Sequence, residues 1–238
     1  MRFKDKKILI TGASGGIGQA VAARCEQEGA QLFTTDRSGE VSAIGDLKDA
    51  SFCDALPQLA SDAMGGLDIV MNNAGVITRG DITTATDDDY ALTMAVNVEA
   101  PFRICRAAIP LLAATGGGAI VNTASCWGLY PGSAHPLYVM SKAALASLTQ
   151  CLGKDHAPQN IRVNAVCPNE VNTPMLRSGF AMRGFDPDEA VSELNQTVPL
   201  GRIAEPEDIA DVILFLASDD ARYMCGALVE VNGGKAVI

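Results

Sequence analysis

Tyr138 and Lys142 stand four residues apart in the run YVMSK, a phenol and an ammonium in an otherwise small and apolar neighbourhood. Four residues is about one helical turn, so on a helix the two side chains share a face. A phenol titrating near ~10 is a poor acid or base at neutral pH, but a fixed cation beside it favours the phenolate and lowers that value. Such a pair suits proton transfer. The same spacing also describes an amphipathic helix with a core Tyr and a surface Lys whose stem covers apolar surface, so the surroundings decide.

A second chemical feature lies near the start, where Thr11-Gly-Ala-Ser-Gly-Gly-Ile-Gly18 follows the apolar run KILIT and opens a helical pattern. Gly12, Gly16 and Gly18 let the backbone turn tightly and approach a diphosphate, whose charge is met by free amides at the helix start; Ser14 and Ile17 belong to the same loop. The next apolar run, QLFTTD, ends in Asp36. A carboxylate there accepts hydrogen bonds from both adenosine ribose hydroxyls and repels a 2′-phosphate, which favours NAD over NADP. Arg37 pulls the other way, because a guanidinium can bind such a phosphate.

The elements that would position these groups follow from the pattern. Short apolar runs (KILIT, QLFTTD, LDIVMNN, AIVNTAS, IRVNAVCP, ALVEVNGG) alternate with helical stretches such as Gln19 to Gly29, Ala100 to Ala114 and Leu137 to Leu152. Runs apolar at consecutive positions suit strands covered on both faces. The expectation is α/β: a single-domain, Rossmann-like, doubly wound parallel sheet with helices on both faces, spanning 1–238. Thr115 to Gly118 reads as a turn from helix to strand. The long polar segment 172–206, punctuated by Pro174, Pro187, Pro199 and Pro206, reads as a loop covering the substrate.

With these residues assembled, the chain resembles the short-chain dehydrogenase/reductase family over essentially its whole length. The likeness rests on TGASGGIG, Asn72-Asn-Ala-Gly75, Ser125 thirteen residues before Tyr138, YVMSK and the closing Asn232-Gly-Gly. The resemblance implies a catalytic set of Asn97, Ser125, Tyr138 and Lys142. Tyr138 would exchange a proton with the substrate oxygen while hydride passes between the substrate carbon and a nicotinamide. Lys142 would bind the nicotinamide ribose and depress the phenol's pKa, Ser125 would hydrogen-bond the reacting oxygen, and Asn97 would hold a water linking Lys142 to solvent. Asp46 and Leu47 would meet the adenine, and Asn73, Ala74 and Gly75 would line the strand end. Pro168, Val171 and Thr173 would contact the carboxamide and phosphates. Asn169 stands where the family usually has glycine; asparagine tolerates a left-handed backbone, so the turn is expected to survive.

Substrate contacts are expected from Ser125, Trp127, His135, Tyr138 and Glu170, with Cys126, Asn169, Met175 and Phe180 nearby. This set suits a small-molecule secondary alcohol or ketone, cyclic or polyhydroxylated. NAD, by family analogy, points toward oxidation. One alternative is a 3-ketoacyl reductase acting on a carrier-bound chain, but Thr115 to Gly118 and Ala157 to Asn160 offer no positive charge to an acidic carrier. Another is a non-catalytic dinucleotide-binding regulator, which would be expected to have lost Tyr138 or Lys142.

Composition narrows the partners. The net charge of −10 repels phosphate backbones and anionic bilayers, so neither nucleic acid nor membrane is expected. The opening MRFKDKKILITG lacks the apolar length of a signal peptide or span, giving a cytoplasmic expectation. The seven cysteines contain no C-x2-C pair and there are only two histidines, so no metal site is expected and the cysteines read as reduced core thiols. Small residues in Ala100 to Ala114 and Leu137 to Leu152, beside Leu145, Leu148 and Leu152, suit a subunit interface. The resemblance implies a homotetramer, with a dimer as the alternative.

Overall fold

Ile8 and Ile10 of the first strand, β1 (Lys7–Thr11), point into one apolar layer and Leu9 into another. The same alternation divides Ile69 and Met71 from Val70 in β4 (Ile69–Asn72), and Ala119 and Val121 from Ile120 in β5 (Gly118–Thr123). Strand side chains alternate faces, so a strand buried on both sides must be apolar at every position. The remaining strands are β2 (Gln31–Asp36), β3 (Ala43–Ile44), β6 (Ile161–Pro168) and β7 (Leu228–Val231). All pair in parallel, in the order β3-β2-β1-β4-β5-β6-β7. The computed structural model describes residues 1–235; the last three residues of the expected 1–238 domain lie outside it.

Helices α1 (Gly16–Gln27) and α8 (Pro206–Ala217) cover one face, burying Val21, Cys25, Ile209 and Ile213. On the other, α2 (Ala50–Met64) and α4 (Ala100–Ala114) bury Leu56, Ile104 and Leu112. Each such side chain contributes about 1.5–3 kcal/mol by leaving water. Helix α3 (Asp87–Met94) continues through a π-helical turn, Ala95–Glu99, into α4, and α5 (Pro136–His156) packs against β6.

Three expectations need correction. The sheet has a seventh strand: β3 holds two residues, too few for periodicity to mark, and joins the edge by pairing Thr35 with Ala43 and Asp36 with Ile44. Segment 172–206 is not a loop but carries α6 (Pro174–Ala181) and α7 (Pro187–Gln196). Pro174, Pro187 and Pro206 each open a helix, where a missing N–H costs nothing, and Thr173 and Asp186 cap the first two. Of the cysteines, Cys151 and Cys225 are exposed and only the other five are core thiols. Among the described residues no helix is long and apolar enough to cross a membrane, and no cluster of His, Cys, Asp and Glu has metal-binding geometry.

Candidate active site

The strand order reverses at β1, whose neighbours β2 and β4 send their following loops to opposite sides. A crevice therefore opens beyond the carboxyl ends of β1 and β4. Its walls demand glycine. Gly12 has a φ of 68°, and a Cβ there would stand 2.7 Å from the Ala74 Cα. One on Gly18 would fall on the Gly12 carbonyl, and one on Gly16 would lie 3.0 Å from the Thr173 Cγ2. No side chain caps α1 at Gly15, so its first amides are left for another acceptor. The Thr11 hydroxyl oxygen accepts from the Asn73 and Ala74 amides at 3.2 Å each, and Asn73 Nδ2 donates to the Gly12 carbonyl, fastening the two loops together.

Asp36, Arg37, Asp46 and Leu47 line the outer half of the crevice, a cavity of about 260 Å³, with Gly12, Gly16, Ile17 and Asn73 to Gly75. The Asp36 carboxylate accepts from the Ser14 amide at 3.0 Å and the Arg37 amide at 2.7 Å. Ser14 and Gly18 support this wall without lining it.

The inner half, about 340 Å³, is lined by Ser125, Trp127, His135, Tyr138, Lys142, Pro168, Asn169, Glu170, Val171 and Thr173. Ser125 follows β5, and Tyr138 and Lys142 lie one turn apart on α5, with the Lys142 Nζ 5.8 Å from the Tyr138 ring centroid. Lys142 is 3% exposed and donates to the Thr123 carbonyl at 2.7 Å. Burial brings its pKa down to about 8. The Tyr138 phenol is pushed above its usual value by burial, with the Ser125 hydroxyl and, more weakly, Arg79 opposing. The Lys142 ammonium is directed at the Thr123 carbonyl, and the cation acting on Tyr138 in this structure is Arg79.

Asn97 lies in the π-helical turn and is fully buried. Its Oδ1 accepts from the Val76 amide and its Nδ2 donates to the Val76 carbonyl, both at 2.9 Å, and also to the Ser141 Oγ at 3.0 Å. Ser141 in turn donates to the Tyr138 carbonyl. The Asn97 amide therefore fastens the strand-end loop to α5. Gly75 sits beside it, where an added Cβ would meet the Lys142 Nζ at 3.2 Å and the Asn97 Oδ1 at 3.5 Å.

Trp127 and His135 meet edge to face with centroids 4.7 Å apart, and Met175 and Phe180 of the α6 region complete an apolar cover. Two substrate candidates behave differently from expectation. Glu170 is held by Lys235 at 2.7 Å, and Cys126 is buried, donating to the Cys167 carbonyl, with its thiol pushed up to about 12 by burial. Asn169 does not adopt the left-handed backbone allowed for it, since the positive-φ residues other than glycine are Asp5, Ala134 and Asn160. Its amide instead donates to the Val231 carbonyl, and its side-chain Nδ2 is buried without a partner among the described residues. Sequence reading missed Thr123, Ser141, Arg79, Arg183 and Lys235. Arg79, four residues past Gly75, and Arg183, in the segment taken for a loop, carried no motif.

A glycine cradle with close backbone contacts, uncapped helix amides and an orphan donor beside the inner half fit a molecule bearing a diphosphate at one end and an amide at the other. Comparisons with known proteins point the same way. A family model described as enoyl-(acyl carrier protein) reductase matches residues 12–236. Meso-2,3-butanediol dehydrogenase of Serratia marcescens is 34% identical over 98% of this chain and 96% of its own length. Among solved structures, levodione reductase superposes with a TM-score of 0.94 at 28% identity, covering 99% of each chain. The ligand-free aldohexose dehydrogenase of Thermoplasma acidophilum gives 0.92 at 28% identity, over 99% of this chain and 97% of that one.

Proposed function

Given that this chain belongs to the short-chain dehydrogenase/reductase family, a group of oxidoreductases that bind a nicotinamide dinucleotide, we propose that it interconverts a secondary alcohol and a ketone, with NAD preferred over NADP. The observation that carries this reading is the convergence of Ser125, Tyr138 and Lys142 on one wall of a cleft whose other end is the glycine cradle.

The dinucleotide, when bound, supplies the hydride acceptor for oxidation and the donor for reduction. The chain's residues do the rest. Gly12, Gly16, Ile17 and Gly18 form the diphosphate cradle with Ser14 behind it, and Asp46, Leu47, Asn73, Ala74 and Gly75 bracket the adenosine side. Pro168, Val171 and Thr173 flank the nicotinamide side. In oxidation Tyr138 takes the hydroxyl proton as the carbon gives up its hydride, leaving a carbonyl; in reduction it returns that proton. Ser125 holds the substrate oxygen as its charge changes. Lys142, one helical turn from the phenol, would bind the nicotinamide ribose, and Asn97 acts as a positioning residue for α5 and the Val76 loop.

Asp36 supports the NAD preference. Its carboxylate, fixed by two backbone amides, faces the outer half of the crevice, where a 2′-phosphate would meet its charge. Arg37 lines the same half, so discrimination is expected to be strong but incomplete. The names of the relatives, a butanediol dehydrogenase and an aldohexose dehydrogenase, support a diol or polyol substrate. The homotetramer implied by family resemblance belongs to the same proposal. A carrier-bound acyl substrate fits less well, because a net charge of −10 opposes an acidic carrier.

The test is a screen of secondary alcohols, diols, sugars and ketones that follows NADH absorbance, with both cofactors offered. NAD should give a kcat/KM about tenfold or more above NADP, equivalent to ~1.4 kcal/mol, and Asp36→Ala should narrow that ratio. A ratio favouring NADP, or one unaffected by Asp36→Ala, would overturn the cofactor assignment.

A further inference from the structure

Most arginines outside the cleft are engaged. Arg103 and Arg106 hold Asp54, Arg177 holds Asp188, and Arg202 holds Asp208. Arg162 donates to the carbonyls of Leu216, Ala217, Ser218 and Ala221. Two that line the Tyr138 half of the cleft, Arg79 and Arg183, are not. Among the described residues neither has a carboxylate within ion-pairing distance, and none of the Arg79 N–H groups finds an acceptor.

The two guanidiniums converge on Gly179 of α6. The Arg79 guanidinium packs directly over Gly179, where an added Cβ would displace it. Arg183 donates from Nε to the Gly179 carbonyl at 2.9 Å and lies over the Phe180 ring at 5.0 Å, which fixes its plane and leaves its terminal N–H groups unspent. A backbone bond from the Gly80 amide to the Ala134 carbonyl ties the Arg79 loop to the segment bearing His135. Burial and the proximity of both arginines hold the His135 imidazole below its usual pKa. Glu170, the one carboxylate in this half, is already engaged by Lys235. Arg79 is half-buried and Arg183 sits exposed at its rim, so the cleft presents two like charges, one of them partly desolvated, to which a ligand anion would supply the counter-charge.

We propose that the substrate carries an anionic oxo group, a carboxylate, sulfonate or phosphate, bound by Arg79 and Arg183 while its carbinol or carbonyl faces Tyr138. Guanidinium groups present paired N–H donors that match the oxygens of such groups. The proposal rests on the alcohol–ketone reading above and narrows its substrate to hydroxy or oxo acids and their sulfonate or phosphate counterparts.

Calorimetric titration of the NADH-loaded protein at low ionic strength tests it. The probes are 3-hydroxybutyrate, 2-hydroxypropanesulfonate, 2-hydroxypropylphosphonate and the uncharged 3-hydroxybutyramide. At least one anion should bind about tenfold to a hundredfold more tightly than the amide, as expected for charge-assisted hydrogen bonds. The strongest anion identifies the oxo group. Arg79→Gln and the exposed Arg183→Gln should each reduce the preference, and together should abolish it. Equal binding of amide and anions, no anion binding at all, or a preference that survives both substitutions would overturn the proposal. NADH binding is measured separately on each preparation. Its failure would count against the dinucleotide reading, whereas its retention alongside equal probe affinities would count against the arginine pair alone.

Discussion

Lys142 shows how far the meaning of a residue depends on its surroundings. Spacing puts its ammonium on the same helical face as Tyr138, and the structure keeps it there, but burial and a single carbonyl acceptor leave it poorly compensated. The sign of the consequence is definite. Its pKa falls from 10.5 to about 8 on folding, so the unfolded chain binds the proton more tightly between those values. Stability should rise as pH climbs from about 8 toward 10.5, while below about 8 the full cost of the buried charge is present. Denaturant titrations of wild type and Lys142→Met at about pH 7.5 and about pH 10 should differ in their pH response by on the order of 2 kcal/mol, with wild type gaining relative to the variant. A pH-independent difference would place this charge in a well-solvated setting. Tyr138, Ser125 and the glycines were legible because chemistry fixes their types and spacing. Arg79 and Arg183 were not, because an unpaired cation is a property of the neighbours it lacks, which only the folded chain reveals.

At the level of elements, long apolar strands announced themselves and irregular ones did not. β1, β4 and β6 each lie within an apolar run, β5 starts one residue before its run, and α4 spans the residues its pattern indicated. The two-residue β3 and the helices of 172–206 escaped because one is too short to show a period and the others begin at prolines, which punctuate loops as readily as helix starts. The π-helical turn at Ala95–Glu99 was likewise invisible, although it carries Asn97 to its three hydrogen bonds. Such turns often occur at functional sites. Asn97→Ala would strand the Val76 amide and carbonyl, so we expect a loss of about 2–4 kcal/mol in denaturant unfolding together with reduced turnover. A change under about 0.5 kcal/mol would show that water replaces the amide at no cost.

Across the whole molecule, one sheet does two jobs. Its faces are buried beneath helices, which sets the fold, and its reversal of strand order at β1 opens the only kind of edge where backbone amides and side chains from several loops can meet a ligand. The overall negative charge makes the positive inner half of the cleft a local exception, a contrast that favours small anionic ligands over anionic polymers. The central claim is that this cleft runs hydride chemistry through the Tyr138 phenol. It is tested most directly by Tyr138→Phe, assayed for NADH binding by fluorescence and for turnover by absorbance on the best substrate of the screen. The variant should still bind NADH while kcat falls at least about 100-fold; turnover within a fewfold of wild type would show that another group carries the proton.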